Sequence, residues 1–139
     1  MSQLCDEPLG FLLYRVMRLL RPQILAELKP LELGLPEFVC MRVLAESPGL
    51  TSAELARGTN VSAQAMNQVL LGLENRGALS RPAGAPGGRA MPAQLTRSGK
   101  GLLKRADVAA KRAEQRILAR LTDEQQSRLK ELLYAAGTP

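Results

Sequence analysis

Residues 51–95 place two short helical segments and a glycine- and proline-rich hairpin in immediate succession, which leaves few folds open. Thr51, followed three residues later by Glu54, forms a capping box that predicts the start of the first helix. Ser62 predicts a second helix start because its hydroxyl can accept a bond from a first-turn amide, and Gly77 suits a left-handed helix end. The short connection at 58–60 gives the two segments the spacing of a helix-turn-helix.

The second helix has two chemically different faces. Its apolar residues recur at helical spacing and predict a buried stripe made of Val61, Met66, Val69, Leu70 and Leu73. The opposite face shows the amides Gln64, Asn67 and Gln68. An amide side chain both donates and accepts hydrogen bonds, as reading an adenine edge in the DNA major groove requires. The alternative is that these amides only form a solvated helix face.

A hairpin is predicted directly after the second helix. Two short extended runs, 78–82 and 91–95, flank a glycine-rich tip at 83–90. Pro82 and Pro92 restrict their positions to a sheet edge or a bulge. Arg89, near the tip, has the chemistry to reach a phosphate or a narrow minor groove. Helix, turn, helix and basic hairpin together predict a winged helix-turn-helix.

Positive charge is concentrated in the same part of the chain. No Asp or Glu occurs from residue 75 to residue 106, whereas seven basic residues do: Arg76, Arg81, Arg89, Arg97, Lys100, Lys104 and Arg105. The whole chain carries a net charge of +6, so this segment carries the excess. Segregated positive charge is typical of a protein that binds a polyanion, whereas charge that served solubility alone would need no segregation.

The chain resembles the MarR family of bacterial winged-helix regulators over nearly all of its length. The stretches that match best are 35–39, 51–57, 61–62, 73–77 and 95–99, in that order and spacing. There are departures. The family wing usually carries an aspartate and consecutive arginines near its tip, where Arg89 alone remains, and Gln68, Leu71 and Gly72 stand at positions that are often polar or basic.

Contacts to double-stranded DNA are predicted in three groups. The major-groove group is Ser62, Gln64, Asn67 and Gln68; the wing group is Arg81 and Arg89; the phosphate group is Thr51, Ser52, Arg76 and Arg97.

Long amphipathic helices are predicted on both sides of this centre. The first, from Pro8 to about Leu28, is apolar nearly all round, which a small domain cannot bury against its own chain. A second long helix after Thr96 and a terminal helix after Thr122 follow the hairpin. The fold class is therefore mainly α with a small β-hairpin wing, divided into an N-terminal dimerisation helix (1–35), a DNA-binding lobe (36–95) and C-terminal dimerisation helices (96–139). A homodimer on a pseudo-palindromic operator follows.

The family resemblance also implies control by a small anionic or phenolic aromatic ligand, bound between the dimerisation helices and the DNA-binding lobe. Tyr14, Arg15, Arg18 and Arg21 place phenolic and cationic groups among apolar residues of the first helix, and a guanidinium beside apolar walls suits a carboxylate-bearing ring. The alternative is that these arginines form a solvated edge or interface ion pairs.

Catalysis and metal binding find no support in the composition. The chain has no histidine, which removes the commonest general base and metal ligand. Ser98 and Lys100 fit a helix start better than a nucleophile and its base. No catalytic residue, metal site or cofactor is predicted, and the chain is not expected to be an enzyme.

The two cysteines are too few for a disulfide scaffold. Cys40 is predicted to be a buried core thiol. Some MarR relatives sense peroxide through an N-terminal cysteine, which leaves a redox-sensing regulator open as an alternative, although Cys5 lies further ahead of Phe11 than that resemblance would place it. No apolar run reaches the roughly 18 residues of a membrane span, and the acidic start lacks the basic region of a signal peptide, so a cytoplasmic protein is expected.

The sequence thus predicts a dimeric, sequence-specific transcriptional repressor that an aromatic ligand releases from DNA. A non-specific DNA binder and a winged-helix module that binds proteins remain open as alternatives.

Overall fold

A computed structural model describes residues 6–81 and 92–139, so the wing tip and Cys5 lie outside the described residues. The described part contains six α-helices and two short strands. They are α1 (Leu9–Leu28), α2 (Leu35–Glu46), α3 (Ser52–Thr59), α4 (Ala63–Asn75), β1 (Leu79–Ser80), β2 (Gln94–Leu95), α5 (Arg97–Leu118) and α6 (Asp123–Ala136). One 3-10 turn, Lys29–Leu31, follows α1. This arrangement confirms the mainly α fold with a small hairpin.

Four helices begin where a hydroxyl side chain caps them. The hydroxyls of Thr51, Ser62, Thr96 and Thr122 each accept a hydrogen bond from the amide three residues later, at 3.0–3.2 Å. At Thr51 and Thr122 the third residue returns a bond to the cap, which completes a capping box. A cap of this kind stabilises a helix by about 1 kcal/mol.

One continuous core joins α2, α3, α4, the wing base and α5, with the C-terminal part of α1 packed into it. Its largest fully buried side chains are aliphatic or sulfur-containing: Leu28, Cys40, Met41, Leu44, Leu55, Met66, Leu70 and Leu73. Small residues of α5, among them Ala106 and Ala113, complete it. Because the core is continuous across the predicted boundaries, the three-part division of the chain stays a prediction.

The base of the wing is a short antiparallel pair. Leu79 faces Leu95 and Ser80 faces Gln94. Ala93 extends the arrangement towards the segment between α2 and α3, because its carbonyl accepts from the Gly49 amide at 3.1 Å and its amide donates to the Leu50 carbonyl at 2.9 Å. The wing is therefore attached on both of its sides to the helix-turn-helix.

The terminal helices leave much of their apolar surface uncovered. In α1, Leu9, Tyr14 and Leu19 are about 60% exposed, and Phe11, Leu13, Val16 and Met17 also face outwards. In α6 no residue is buried, and Tyr134 is 73% exposed. Within the single chain, the terminal helix therefore leaves most of its apolar face uncovered, although Leu129 is half-buried.

One predicted core position differs in the structure. Val61, predicted in the buried stripe, is 37% exposed and lines a surface cavity between α2 and α4. Helix α2 begins at Leu35, because Pro36 is accommodated in a first turn whose amides need no intrahelical partner.

Candidate nucleic-acid interface

Helix α4 presents the predicted amide face to the outside. Gln64, Asn67 and Gln68 are all exposed, while Met66, Leu70 and Leu73 on the opposite side are almost fully buried. The backbone of the helix is thus fixed by the core, and the amides project from a rigid support. This separation of faces is what a helix needs to insert side chains into a groove.

The turn before α4 sets the direction of that helix. Asn60 adopts a left-handed conformation with φ of 56°, which Asn tolerates better than most residues. The Val61 amide then donates to the Ala56 carbonyl at 3.1 Å. Ser62, predicted to contact DNA, is exposed, and its hydroxyl accepts from the Ala65 amide while its own proton remains available.

The start of α3 is held by its capping box. The Thr51 hydroxyl donates to the Glu54 carboxylate at 2.9 Å and accepts from the Glu54 amide at 3.2 Å. Hydrogen bonds from the Thr51 side chain and backbone lower the pKa of the Glu54 carboxyl. Thr51 and Ser52 are both half-buried, so a predicted phosphate contact at this helix start would come mainly from backbone amides and the Ser52 hydroxyl.

Two of the arginines predicted to contact DNA also bond to groups within the chain. The Arg76 guanidinium donates to the backbone carbonyls of Leu31 and Glu32, both at 2.8 Å, which ties the end of α4 to the turn after α1. Arg81 is mostly buried at its side chain and is paired with Glu74. Their contacts to DNA stay a prediction, made from charge alone.

The other described basic residues of the segment 75–106 lie on the first turns of α5. Arg97, Lys100, Lys104 and Arg105 are all exposed, and no ion-pair partner is found for them within 6–81 and 92–139. Arg97 thus keeps the freedom that its predicted phosphate contact needs. The wing prediction for Arg89 falls outside the described residues.

The four residues predicted to bind a ligand do not line one site. Tyr14, Arg15 and Arg18 line a shallow cavity of about 340 Å³ on α1, together with Phe11 and Leu19. We call this the Tyr14 cavity. Arg21 lines a different cavity, because it lies far enough along α1 to reach the DNA-binding lobe.

This second cavity, of about 370 Å³, lies between α2 and α4, and we call it the Arg21 cavity. Arg21 is the cation in its lining. Apart from Thr59, the other lining residues are apolar: Leu35, Pro36, Val39, Val61, Ala65, Met66 and Val69. The sequence did not predict these walls; Val61, Met66 and Val69 were predicted as part of the buried stripe instead.

Cys40 is fully buried, as predicted. Burial, and to a lesser degree the charge of Glu37, raise the pKa of its thiol to about 11. A thiol of this kind is a poor nucleophile at neutral pH. Cys5 lies outside the described residues.

Other site types are not seen in the described ranges. Over 6–81 and 92–139 there is no cluster of three or more Cys, Asp or Glu side chains placed to hold a metal ion. In the same ranges, no helix combines the length and the apolarity that a membrane crossing demands.

The fold and the exposed α4 face together define a winged helix-turn-helix protein. The MarR family model matches residues 31–90. The HTH-type transcriptional repressor Rv2887 of Mycobacterium tuberculosis is 54% identical over 133 residues, which is 96% of each chain. The chain therefore belongs to the MarR family.

Solved structures of Rv2887 match this chain in fold as well as in sequence. Rv2887 in complex with DNA is 52% identical, with a TM-score of 0.81, over 96% of this chain and 100% of that one. Rv2887 in complex with salicylic acid is 54% identical, with a TM-score of 0.79, over 94% of this chain and 97% of that one.

Proposed function

We propose that the chain is a homodimeric transcriptional repressor that binds a pseudo-palindromic DNA operator and is released by a small aromatic acid. The observation that carries the proposal is the α4 face, where Gln64, Asn67 and Gln68 project from a helix anchored by its buried side. The DNA complex of Rv2887, a repressor of more than half-identical sequence, supports it. A repressor binds DNA in the compartment that holds the DNA, so the proposal includes the expected cytoplasmic location.

Dimerisation follows from the uncovered apolar surface of the terminal helices. The exposed apolar side chains of α1 include Phe11 and Tyr14, whose ring centroids lie 6.5 Å apart. Exposed apolar side chains that lie side by side are typical of a protein interface. A second copy of the chain would cover α1 and α6 of both subunits at once. The resulting two-fold axis would set two α4 helices about one DNA turn apart, which matches a pseudo-palindromic site.

Phosphate contacts are assigned to the basic start of α5, to the start of α3 and to the wing. Arg97 and Lys100 lie on the first turn of α5, directly after the wing. Thr51 and Ser52 at the start of α3 and Arg89 in the wing keep their predicted roles. Arg76 and Arg81 are left out of the set, because their guanidinium groups are already bonded inside the protein.

The ligand is assigned to the Arg21 cavity. One guanidinium among apolar walls fits a carboxylate attached to an aromatic ring, because the charge is paired and the ring is removed from water. The salicylic acid and p-aminosalicylic acid complexes of Rv2887 support this ligand class. Tyr14, Arg15 and Arg18 of the Tyr14 cavity were predicted for the same role and form the competing assignment.

The position of the Arg21 cavity supplies a mechanism of release. Ala65, Met66 and Val69 of α4 form part of its wall, and the exposed amides Gln64 and Gln68 lie on the same helix. A ring between α2 and α4 would shift the amides relative to the rest of the dimer. Release requires only that the ligand bind the shifted geometry more tightly than the DNA-bound one.

DNA recognition is tested with duplexes selected from a random library and with random duplex as competitor. We expect a selected pseudo-palindrome to bind at least a hundredfold more tightly than random duplex. Gln68→Ala should reduce the free-energy preference for that operator by about 1–3 kcal/mol. Equal binding to all duplexes would identify a non-specific binder. The absence of any salt-sensitive binding would identify a protein-interaction module.

The ligand site is tested by calorimetric titration with salicylate. We expect Arg21→Ala to abolish the binding heat and the effect of salicylate on DNA affinity, whereas Arg18→Ala retains both. The reverse result would move the ligand to the Tyr14 cavity. If neither heat nor a change in DNA affinity appears with the unaltered protein at millimolar salicylate, this ligand class is wrong.

A further inference from the structure

Leu71 is a large apolar residue in the middle of the polar face of α4. It is 48% exposed, although its chain neighbour Leu70 is fully buried. It follows Gln64, Asn67 and Gln68 by seven, four and three residues, so all four side chains lie on one face of the helix. Gly72, which has open space around it, adds no side chain that would cover Leu71.

The exposed apolar surface of Leu71 is separate from that of the terminal helices. Large uncovered apolar side chains cluster on α1 and α6, where a second copy of the chain would bind. Leu71 is surrounded by amides on a different element. A partner that covers Leu71 must therefore satisfy those amides at the same time.

The DNA major groove offers that combination. Adenine presents a donor and an acceptor to an amide side chain, and thymine presents the one apolar group at the base edges, its C5-methyl. We propose that Leu71 reads a thymine by packing against this methyl group. The inference rests on the proposed function, since it assigns a further base contact to the same DNA-binding face.

Helix geometry fixes where that thymine lies. Leu71 is three and four residues beyond Gln68 and Asn67, which corresponds to roughly 4.5–6 Å along the helix axis. Successive bases of one strand are about 3.4 Å apart. Each half-site should therefore contain a thymine one or two base pairs from the base that Asn67 or Gln68 reads.

The experiment uses the selected operator and removes one methyl group at a time. Each thymine is replaced by deoxyuridine, and binding is measured for the unaltered protein and for Leu71→Ala. We expect one thymine per half-site at which deoxyuridine weakens binding about fourfold, the effect of burying one methyl-sized group. Leu71→Ala should lose that sensitivity, whereas Leu71→Met should retain it.

A matched control is Val108→Ala, because Val108 is 47% exposed but lies on α5. It should leave the deoxyuridine profile unchanged. Specific binding with no methyl-sensitive thymine, or a profile that Leu71→Ala leaves unchanged, would overturn the role of Leu71 and leave the proposed function standing. Failure to select any operator would overturn the proposed function and this contact with it.

Discussion

Gly99 lies directly against the backbone of Ala78, so that a β-carbon on Gly99 would overlap the Ala78 carbonyl oxygen. The same carbonyl accepts a hydrogen bond from the Thr96 amide at 3.1 Å, and the Thr96 hydroxyl donates to the Gly77 carbonyl at 2.6 Å. The first turn of α5 is therefore held against β1 by this contact and these two hydrogen bonds. Through them, a movement of α5 would also move the base of the wing.

Gly99→Ala is expected to lower the free energy of unfolding by about 1–3 kcal/mol, because backbone atoms must move to admit the methyl group. Gly101→Ala is the matched control. Gly101 is two residues further along the same helix with open space around it, so the change should stabilise the protein by about 0.5–1 kcal/mol. Urea unfolding of both variants checks the pair, and equal effects would contradict the contact with Ala78.

Arg76→Ala is expected to reduce stability while leaving the salt dependence of DNA binding unchanged. The two bonds to Leu31 and Glu32 should be worth roughly 1–2 kcal/mol, at the low end for a charged donor because Arg76 is exposed. Urea unfolding and DNA titrations at several salt concentrations measure the two effects. A shallower salt slope with unchanged stability would restore the phosphate contact predicted from the sequence.

Arg97→Ala is expected to change the salt dependence of DNA binding while leaving the stability of the protein unchanged. Its loss should reduce the log-log slope of affinity against salt by about 0.9 for each subunit, with unchanged free energy of unfolding.

Arg89→Ala should likewise weaken DNA binding with little change in base preference. A change of preference at one base pair without loss of affinity would show that Arg89 reads a base.

The buried thiol predicts a loss of stability in alkali. Burial of Cys40 raises its pKa to about 11 in the folded protein. The protonated thiol therefore contributes fully to the stability of the fold below the pKa of the unfolded chain, and this contribution is lost as the pH rises through the folded pKa. Between about pH 9 and 11 the unaltered protein should lose more stability than Cys40→Ala. Parallel pH profiles of urea unfolding for the two proteins would contradict this.

The dimer surface is tested by charge insertion. Phe11→Asp and Leu133→Asp should each convert the dimer to a monomer in sedimentation experiments, because a carboxylate would be buried without a partner. Arg128→Ala is the control, since Arg128 is on α6 but is exposed and, among residues 6–81 and 92–139, forms an ion pair with Glu131 at 3.3 Å. A monomeric unaltered protein would remove the dimer itself.

What the sequence predicted well depends on near neighbours. The caps at Thr51, Ser62, Thr96 and Thr122 need only residues three positions away, and a left-handed Gly77 needs only its own missing side chain. Helical spacing likewise predicted the buried side of α4, where Met66, Leu70 and Leu73 are buried and Val69 is half-buried; Val61, just before the helix, is exposed.

What it could not predict depends on residues far apart in the chain. Arg76 finds its acceptors 44 and 45 positions away, and no local pattern distinguishes such an arginine from a phosphate-binding one. The separation of Arg21 from Tyr14, Arg15 and Arg18 requires knowing where α1 passes the DNA-binding lobe. The close approach of Gly99 to Ala78 also appears only after the wing has folded back.

The distribution of aromatic residues has a practical consequence. The chain has no tryptophan and two tyrosines, Tyr14 on α1 and Tyr134 on α6, both largely exposed in the single chain. Intrinsic fluorescence will therefore arise from the two helices assigned to subunit association, while the aliphatic DNA-binding lobe emits almost nothing. A tryptophan introduced into that lobe would give its movements a separate optical signal.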